Sequence, residues 1–195
     1  MSLTIPQEPS EALAKFQQSF EGISARAYRD SAGVLTIGIG HTNQYISSFS
    51  EKSVWDMERI MEVWRDDLQE AVDDANCWLN VEIEQRHFDM VVDQIFNAGK
   101  PRTLLNLLNL GRTDEAAQQL LRWIYYTEDG VHKVAIGLVK RCFARYMYWK
   151  GKDWEPFAQC PATSRNVRPL NELIAPLGYR LISDPVHKFR LQRVA

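Results

Sequence analysis

One seven-residue stretch, Val34-Leu35-Thr36-Ile37-Gly38-Ile39-Gly40, interrupts a chain whose apolar residues otherwise recur mostly at helical spacing. Its β-branched residues and bounding glycines fit extended backbone. With Ala27-Tyr28-Arg29-Asp30 and the turn Ser31-Ala32-Gly33 before it, the stretch predicts a β-hairpin. Upstream, Leu13, Phe16 and Phe20 follow Ser10 at helical spacing. Ser10 suits an N-cap and Gly22 a left-handed C-terminal residue, so a helix is expected over 10–21.

Downstream, Ile60, Met61, Val63, Trp64, Leu68 and Val72 predict one long amphipathic helix from Asp56 to about Asn76, able to bridge two lobes. Asp66, Asp67 and Glu70 are assigned to its solvated face. Further helical patterns cover 83–97, 103–110, 114–125 and 136–149, separated by loops containing Gly99, Pro101, Gly111 and Gly130. Beyond Lys152 proline becomes frequent, and 178–183 and 186–194 read as two short strands joined through Asp184-Pro185. The expected fold class is α+β, mostly helical. A length of 195 residues allows one core, or two small lobes sharing a long helix.

Composition narrows the partners. A formal charge of −2 lacks the basic excess of a nucleic-acid binder. No window reaches the run of apolar residues that a membrane span requires, so no stable membrane insertion is expected. The N-terminus has neither the basic nor the apolar region of a signal peptide, which predicts synthesis in the cytoplasm. Cys77, Cys142 and Cys160 are odd in number and widely spaced, and read as reduced, buried thiols. His41, His87, His132 and His187 are too dispersed for a metal motif, and no cofactor is implied.

The chemistry is concentrated at the first helix end and the hairpin: Glu21-Gly22, Tyr28, Asp30, Gly33 and Thr36-Ile37-Gly38-Ile39-Gly40-His41-Thr42. Glu21 stands where a helix presents its negative pole, a placement that disfavours a carboxylate there. Local stability does not explain it, and the dipole, burial and a nearby anionic Asp30 would all favour a protonated carboxyl. Glycoside hydrolysis needs such an acid together with a second carboxylate. Glu21 and Asp30 fit these roles, and the Thr36 hydroxyl can hold a water beside Asp30.

Glu, then Asp nine residues later, then Thr six after that, inside Tyr-x-Asp and Thr-Ile-Gly-x-Gly-His, resembles the catalytic pattern of the T4-like phage lysozymes and endolysins of glycoside hydrolase family 24. Phe96-Asn97-Ala98-Gly99, Thr103-Leu104-Leu105, Leu108-Asn109-x-Gly111, Arg122-Trp123 and Gly137-Leu138-Val139-Lys140-Arg141 are similar to the endolysin branch. Cys142 and Arg145 stand where endolysins commonly carry a further arginine and then a glutamate.

The resemblance implies a lysozyme-like fold of two lobes, one small with the sheet and one larger and helical, over 1–152; residues 153–195 have no counterpart in the family pattern and read as a C-terminal extension able to pack on that domain. It implies hydrolysis of the β-1,4 bond between N-acetylmuramic acid and N-acetylglucosamine in bacterial peptidoglycan, in the periplasm or cell wall, with Glu21, Asp30 and Thr36 catalytic and a loop at 43–49 bordering the cleft. For a phage or prophage lysis enzyme it implies holin-dependent release. A secreted antibacterial effector would carry the same pattern, and a second reading keeps the fold as a glycan-binding or scaffolding module.

Each residue also has a plainer reading. Asp30 fits a turn residue bonding its own backbone, Thr36 a β-former, and His41 hydrogen-bonded scaffolding. Gly33, Gly38 and Gly40 fit tight hairpin geometry rather than a phosphate loop. The six tryptophans read as core, and the basic residues of the tail as a solvated face.

Overall fold

The computed structural model describes residues 6–30, 33–42, 49–128 and 130–194. Its contacts divide the chain into two units, Met1–Pro101 and Arg102–Ala195.

The first unit opens with α1 (Glu11–Gln18), which buries Leu13 and Phe16. Ser10 occupies the N-cap position, but its hydroxyl makes no capping bond to the helix. It donates instead to Asp89 Oδ2 at 2.6 Å, and its amide donates to Asp89 Oδ1 at 3.0 Å. A buried carboxylate outcompetes the helix for that hydroxyl, since hydrogen bonds to charged acceptors are the stronger ones. The helix also ends earlier than expected. The amides of Phe20 and Glu21 both turn back to the Gln17 carbonyl at 2.9 Å. This closes the last turn without a left-handed residue, and Gly22 is not among the positive-φ glycines.

The hairpin gains a third strand. β1 (Ser24–Arg29), β2 (Leu35–Gly38) and β3 (His41–Thr42) form an antiparallel sheet in that order. Tyr28 pairs with Thr36, and Thr36 pairs in turn with Thr42, so these three side chains share one face. The turn from β2 to β3 buries Ile39 against Ile60 and Trp64 of α2 (Met57–Trp78). Asp56 caps α2 by accepting from the Arg59 amide at 2.8 Å. α3 (Gln85–Ala98) carries an unbroken buried run from His87 to Ile95, including Asp89, Asp93 and Gln94. The turn at Ser31-Ala32 and residues 43–48 of the expected cleft loop lie outside the described residues. Phe49, which follows, is buried against His41 and Trp55.

The second unit holds α4 (Arg102–Asn109), α5 (Thr113–Gln119) and a short 3-10 turn at Leu120–Arg122. The helix expected to reach residue 125 stops here, because Trp123 adopts ψ 53°. The chain then forms a hairpin around Gly130, where the spacing predicts only a loop. β4 (Tyr125–Glu128) pairs with β5 (Val131–Val134), and Gly130 at φ 73° serves the turn. α6 (Ile136–Trp149) follows as expected. Two helices were not anticipated, α7 (Glu155–Gln159) and α8 (Arg168–Ile174). β6 (Tyr179–Asp184) and β7 (Lys188–Arg193) form the expected terminal hairpin.

The anticipated boundary at residue 152 falls inside this unit, between α6 and α7. Phe157 stacks on Phe143 of α6 at 6.0 Å, and Tyr179 meets the same ring edge-on at 5.3 Å. Cys142 and Cys160 are buried as expected, but Cys77 is exposed, on the outer face of α2 near its C-terminus.

Candidate active site

The end of α1 and the three-stranded sheet place the residues singled out by sequence. Gly40, at φ 75°, leaves the β2–β3 turn without a side chain where Glu21 approaches. A Cβ at Gly40 would lie 3.6 Å from Glu21 Oε2. Asp30 ends β1. Its Oδ1 accepts the Val34 amide at 2.9 Å, and its own amide donates to the Val34 carbonyl at 3.0 Å. The turn reading of Asp30 therefore holds, and the turn orients its carboxylate.

Thr36 is only 3% exposed, and its hydroxyl donates to the Val34 carbonyl at 3.0 Å. With its hydrogen committed, this hydroxyl presents lone pairs to a neighbour. Tyr28, paired with Thr36, senses both carboxylates. Partial burial first, then the negative charges of Glu21 and Asp30, push its phenol above the ordinary tyrosine value. Both carboxylates therefore contribute negative charge at Tyr28.

Beside this group runs a groove of about 460 Å3, wholly within the first unit. The sheet contributes Asp30, Val34, Gly40, His41 and Thr42; α2 contributes Asp67, Glu70, Ala71 and Asp74; the end of α3 contributes Ile95 to Gly99. His41 is tied to α2 by its side chain. Its Nδ1 lies 2.7 Å from Asp67 Oδ2, and its ring packs between Phe49 and Trp55.

Asp67 is therefore not on the solvated face where the sequence reading put it. It is 20% exposed and holds β3 to α2. The signal was present: Asp67 and Asp74 fall on the stripe of Ile60, Trp64 and Ala71, spaced by three and four residues. Glu70 and the Phe96–Gly99 segment were also not assigned to the groove. Asp74 pairs with Lys100 at 2.9 Å. Among the described residues no group of three or more His, Cys, Asp or Glu can hold a metal ion, and no helix is long and apolar enough to cross a membrane. Two carboxylates, a lone-pair-presenting hydroxyl and an open groove can move protons to and from a ligand and a water.

Comparison with known proteins extends this geometry. Residues 18–145 match the family model described as phage lysozyme. The endolysin of Bacillus phage B103 is 37% identical over 138 residues, covering 68% of this chain and 50% of the relative. The endolysin of Salmonella phage P22 is 34% identical over 108 residues, covering 53% of this chain and 74% of the relative. The chain spans about half the length of the Bacillus phage endolysins it matches. Among solved structures, the muramidase domain of SpmX from Asticaccaulis excentricus superposes with a TM-score of 0.63 at 27% identity, covering 73% of this chain and 97% of that domain. The matched residues contain Glu21, Asp30 and Thr36 and end within α6, and on that match the chain belongs to the phage lysozyme family.

Proposed function

We propose that the protein is a muramidase that hydrolyses the β-1,4 bond between N-acetylmuramic acid and N-acetylglucosamine in bacterial peptidoglycan, in phage or prophage lysis. The observation that carries this reading is Asp30 in the lining of an open groove with Glu21 against Gly40 in its wall, within residues that match the phage lysozyme family. Glu21 donates a proton to the departing glycosidic oxygen. A water attacks the anomeric carbon from the opposite face and gives its proton to the Asp30 carboxylate. Thr36 accepts the water's other hydrogen and so aims the water's lone pair. The bond from the anomeric carbon to the leaving oxygen breaks as the new carbon–oxygen bond forms, and the configuration inverts. As a phage lysis enzyme the protein would reach its substrate in the wall by holin-dependent release.

The test compares reducing-end release and turbidity loss of purified Gram-negative peptidoglycan for wild type and Glu21→Gln at matched folding. Loss of about 10²–10⁴-fold in rate is expected for removal of a general acid. Equal rates would remove Glu21 from the mechanism. Two folded, inert proteins that still bind glycan would leave a binding module in place of an enzyme.

A further inference from the structure

α1 leads at its far end to the proposed general acid, and what fixes its near end is a buried charge. Asp89 of α3 is wholly buried, and a carboxylate in an interior is costly unless polar partners surround it. Partners come from the segment that enters α1. The Ser10 hydroxyl donates to Asp89 Oδ2 at 2.6 Å, and the Ser10 amide to Oδ1 at 3.0 Å. Gln85 Nε2 lies 2.9 Å from Asp89 Oδ1 and 2.8 Å from the Glu8 carbonyl oxygen, which joins the same segment to the first turn of α3. A serine at an N-cap ordinarily turns its side chain to its own helix. Ser10 turns its side chain to a neighbouring one. The carboxylate also stands by the positive end of the α1 dipole, which strengthens its hold.

We propose that Asp89 is a positioning residue for Glu21: by fixing Ser10 it sets where α1 delivers the Glu21 carboxyl against Gly40 and the groove. Leu13 and Phe16 bury one face of α1, but apolar contact is non-directional and resists tilting and sliding less than hydrogen bonds do. Eight residues make a rod about 12 Å long, so a tilt of about 5° at its start carries its end about 1 Å. A general acid must stay within hydrogen-bond reach of the leaving oxygen, and a misplacement of about 1 Å costs on the order of 10²-fold in rate. The other end of α3, Ile95 to Gly99, forms a wall of the groove. One helix therefore holds both the start of α1 and the surface against which a ligand lies. The inference rests on the muramidase reading above, in which Glu21 is the acid.

The test is Ser10→Ala, which removes the hydroxyl bond at a half-buried position and leaves Asp89 the Ser10 amide and Gln85 as partners. On soluble peptidoglycan fragments kcat should fall about tenfold with KM unchanged. Ser10→Thr, which keeps a hydroxyl, should restore it. In full-length 15N-labelled protein the amide resonances of Glu21 and Gly40 should move in Ser10→Ala and return in Ser10→Thr. Asp89→Asn should show the same pattern more strongly; should it fail to fold, the two Ser10 variants decide. A helix tie with no positioning role would lower thermal stability but leave kcat, measured well below unfolding, and these two amides unchanged, and that outcome overturns the proposal. If wild type hydrolyses nothing while Glu21 and Gly40 still respond, the muramidase reading fails and the placement of Glu21 by Asp89 stands. Hydrolysis by wild type with no response in kcat or at either amide does the reverse.

Discussion

Val34 offers one carbonyl oxygen to two donors, the Asp30 amide and the Thr36 hydroxyl, and so sets the orientation of both proposed water-handling groups. Thr36→Val keeps the β-branched shape and removes only the hydroxyl, and the Val34 carbonyl retains Asp30 as its partner. We expect a stability loss of about 0.5–1.5 kcal/mol by denaturant unfolding. The hydrolysis rate should fall by about 10²-fold as the water loses its aim, and Thr36→Ser should restore most of it. Tyr28 gives an independent check on the neighbourhood. Its phenol is held neutral by burial and by two anions, so Glu21→Gln should lower its titration midpoint, followed by ultraviolet difference absorbance, while burial keeps it above the ordinary 10.0. An unchanged midpoint would place Glu21 elsewhere. Because the folded value is the raised one, the stability Tyr28 contributes is fully present below that ordinary value and is lost as pH rises through the folded value. The carboxylates and Thr36 were legible in the sequence because they sit on one continuous local pattern. Asp67 was not, because its partner His41 lies 26 residues away and charge alone marks a helix position as solvated.

At the scale of elements, the sheet is held to α2 by two devices: the buried Ile39 turn and the His41–Asp67 pair. Asp67→Asn removes the charge from a mostly buried hydrogen bond, and should cost about 1.5–3 kcal/mol in thermal or denaturant unfolding. A loss below the scatter of the measurement would mean that apolar packing alone holds β3. Gly40→Ala forces a left-handed backbone on a residue with a Cβ and places that atom against Glu21. A penalty of about 1–2 kcal/mol is expected, together with reduced hydrolysis. Element types were read well where periodicity ran long, as in α2 and α6. The failures share a cause. Ala116, Leu120 and Ile124 continue a helical spacing that the backbone abandons at Trp123, because the following residues find cross-strand partners in β5. Long-range pairing overrode a local pattern. Similarly, α1 ends on its own Gln17 carbonyl, so the glycine expected to terminate it was not needed.

For the molecule as a whole, residues 153–194 pack against the rest of the second unit and contribute to its core. Phe157, Leu170, Ile174 and Leu181 are all buried, and Phe157 covers Phe143. Phe157→Ala should cost about 3–5 kcal/mol, the range of a core phenylalanine truncation, and removal of the whole segment should leave α6 exposed and prone to aggregate on light scattering. The terminal hairpin of this segment is legible in the sequence, but its two short helices are not, since proline-rich spacing hides them and α7 makes its aromatic contact with a ring on α6. The three thiols, too, are divided between surface and interior: Cys142 and Cys160 sit within the second unit's packing while Cys77 faces water from the first. A maleimide dye added to the native protein will therefore react at one position, near the C-terminal end of α2, and the wild-type chain carries its own single labelling site.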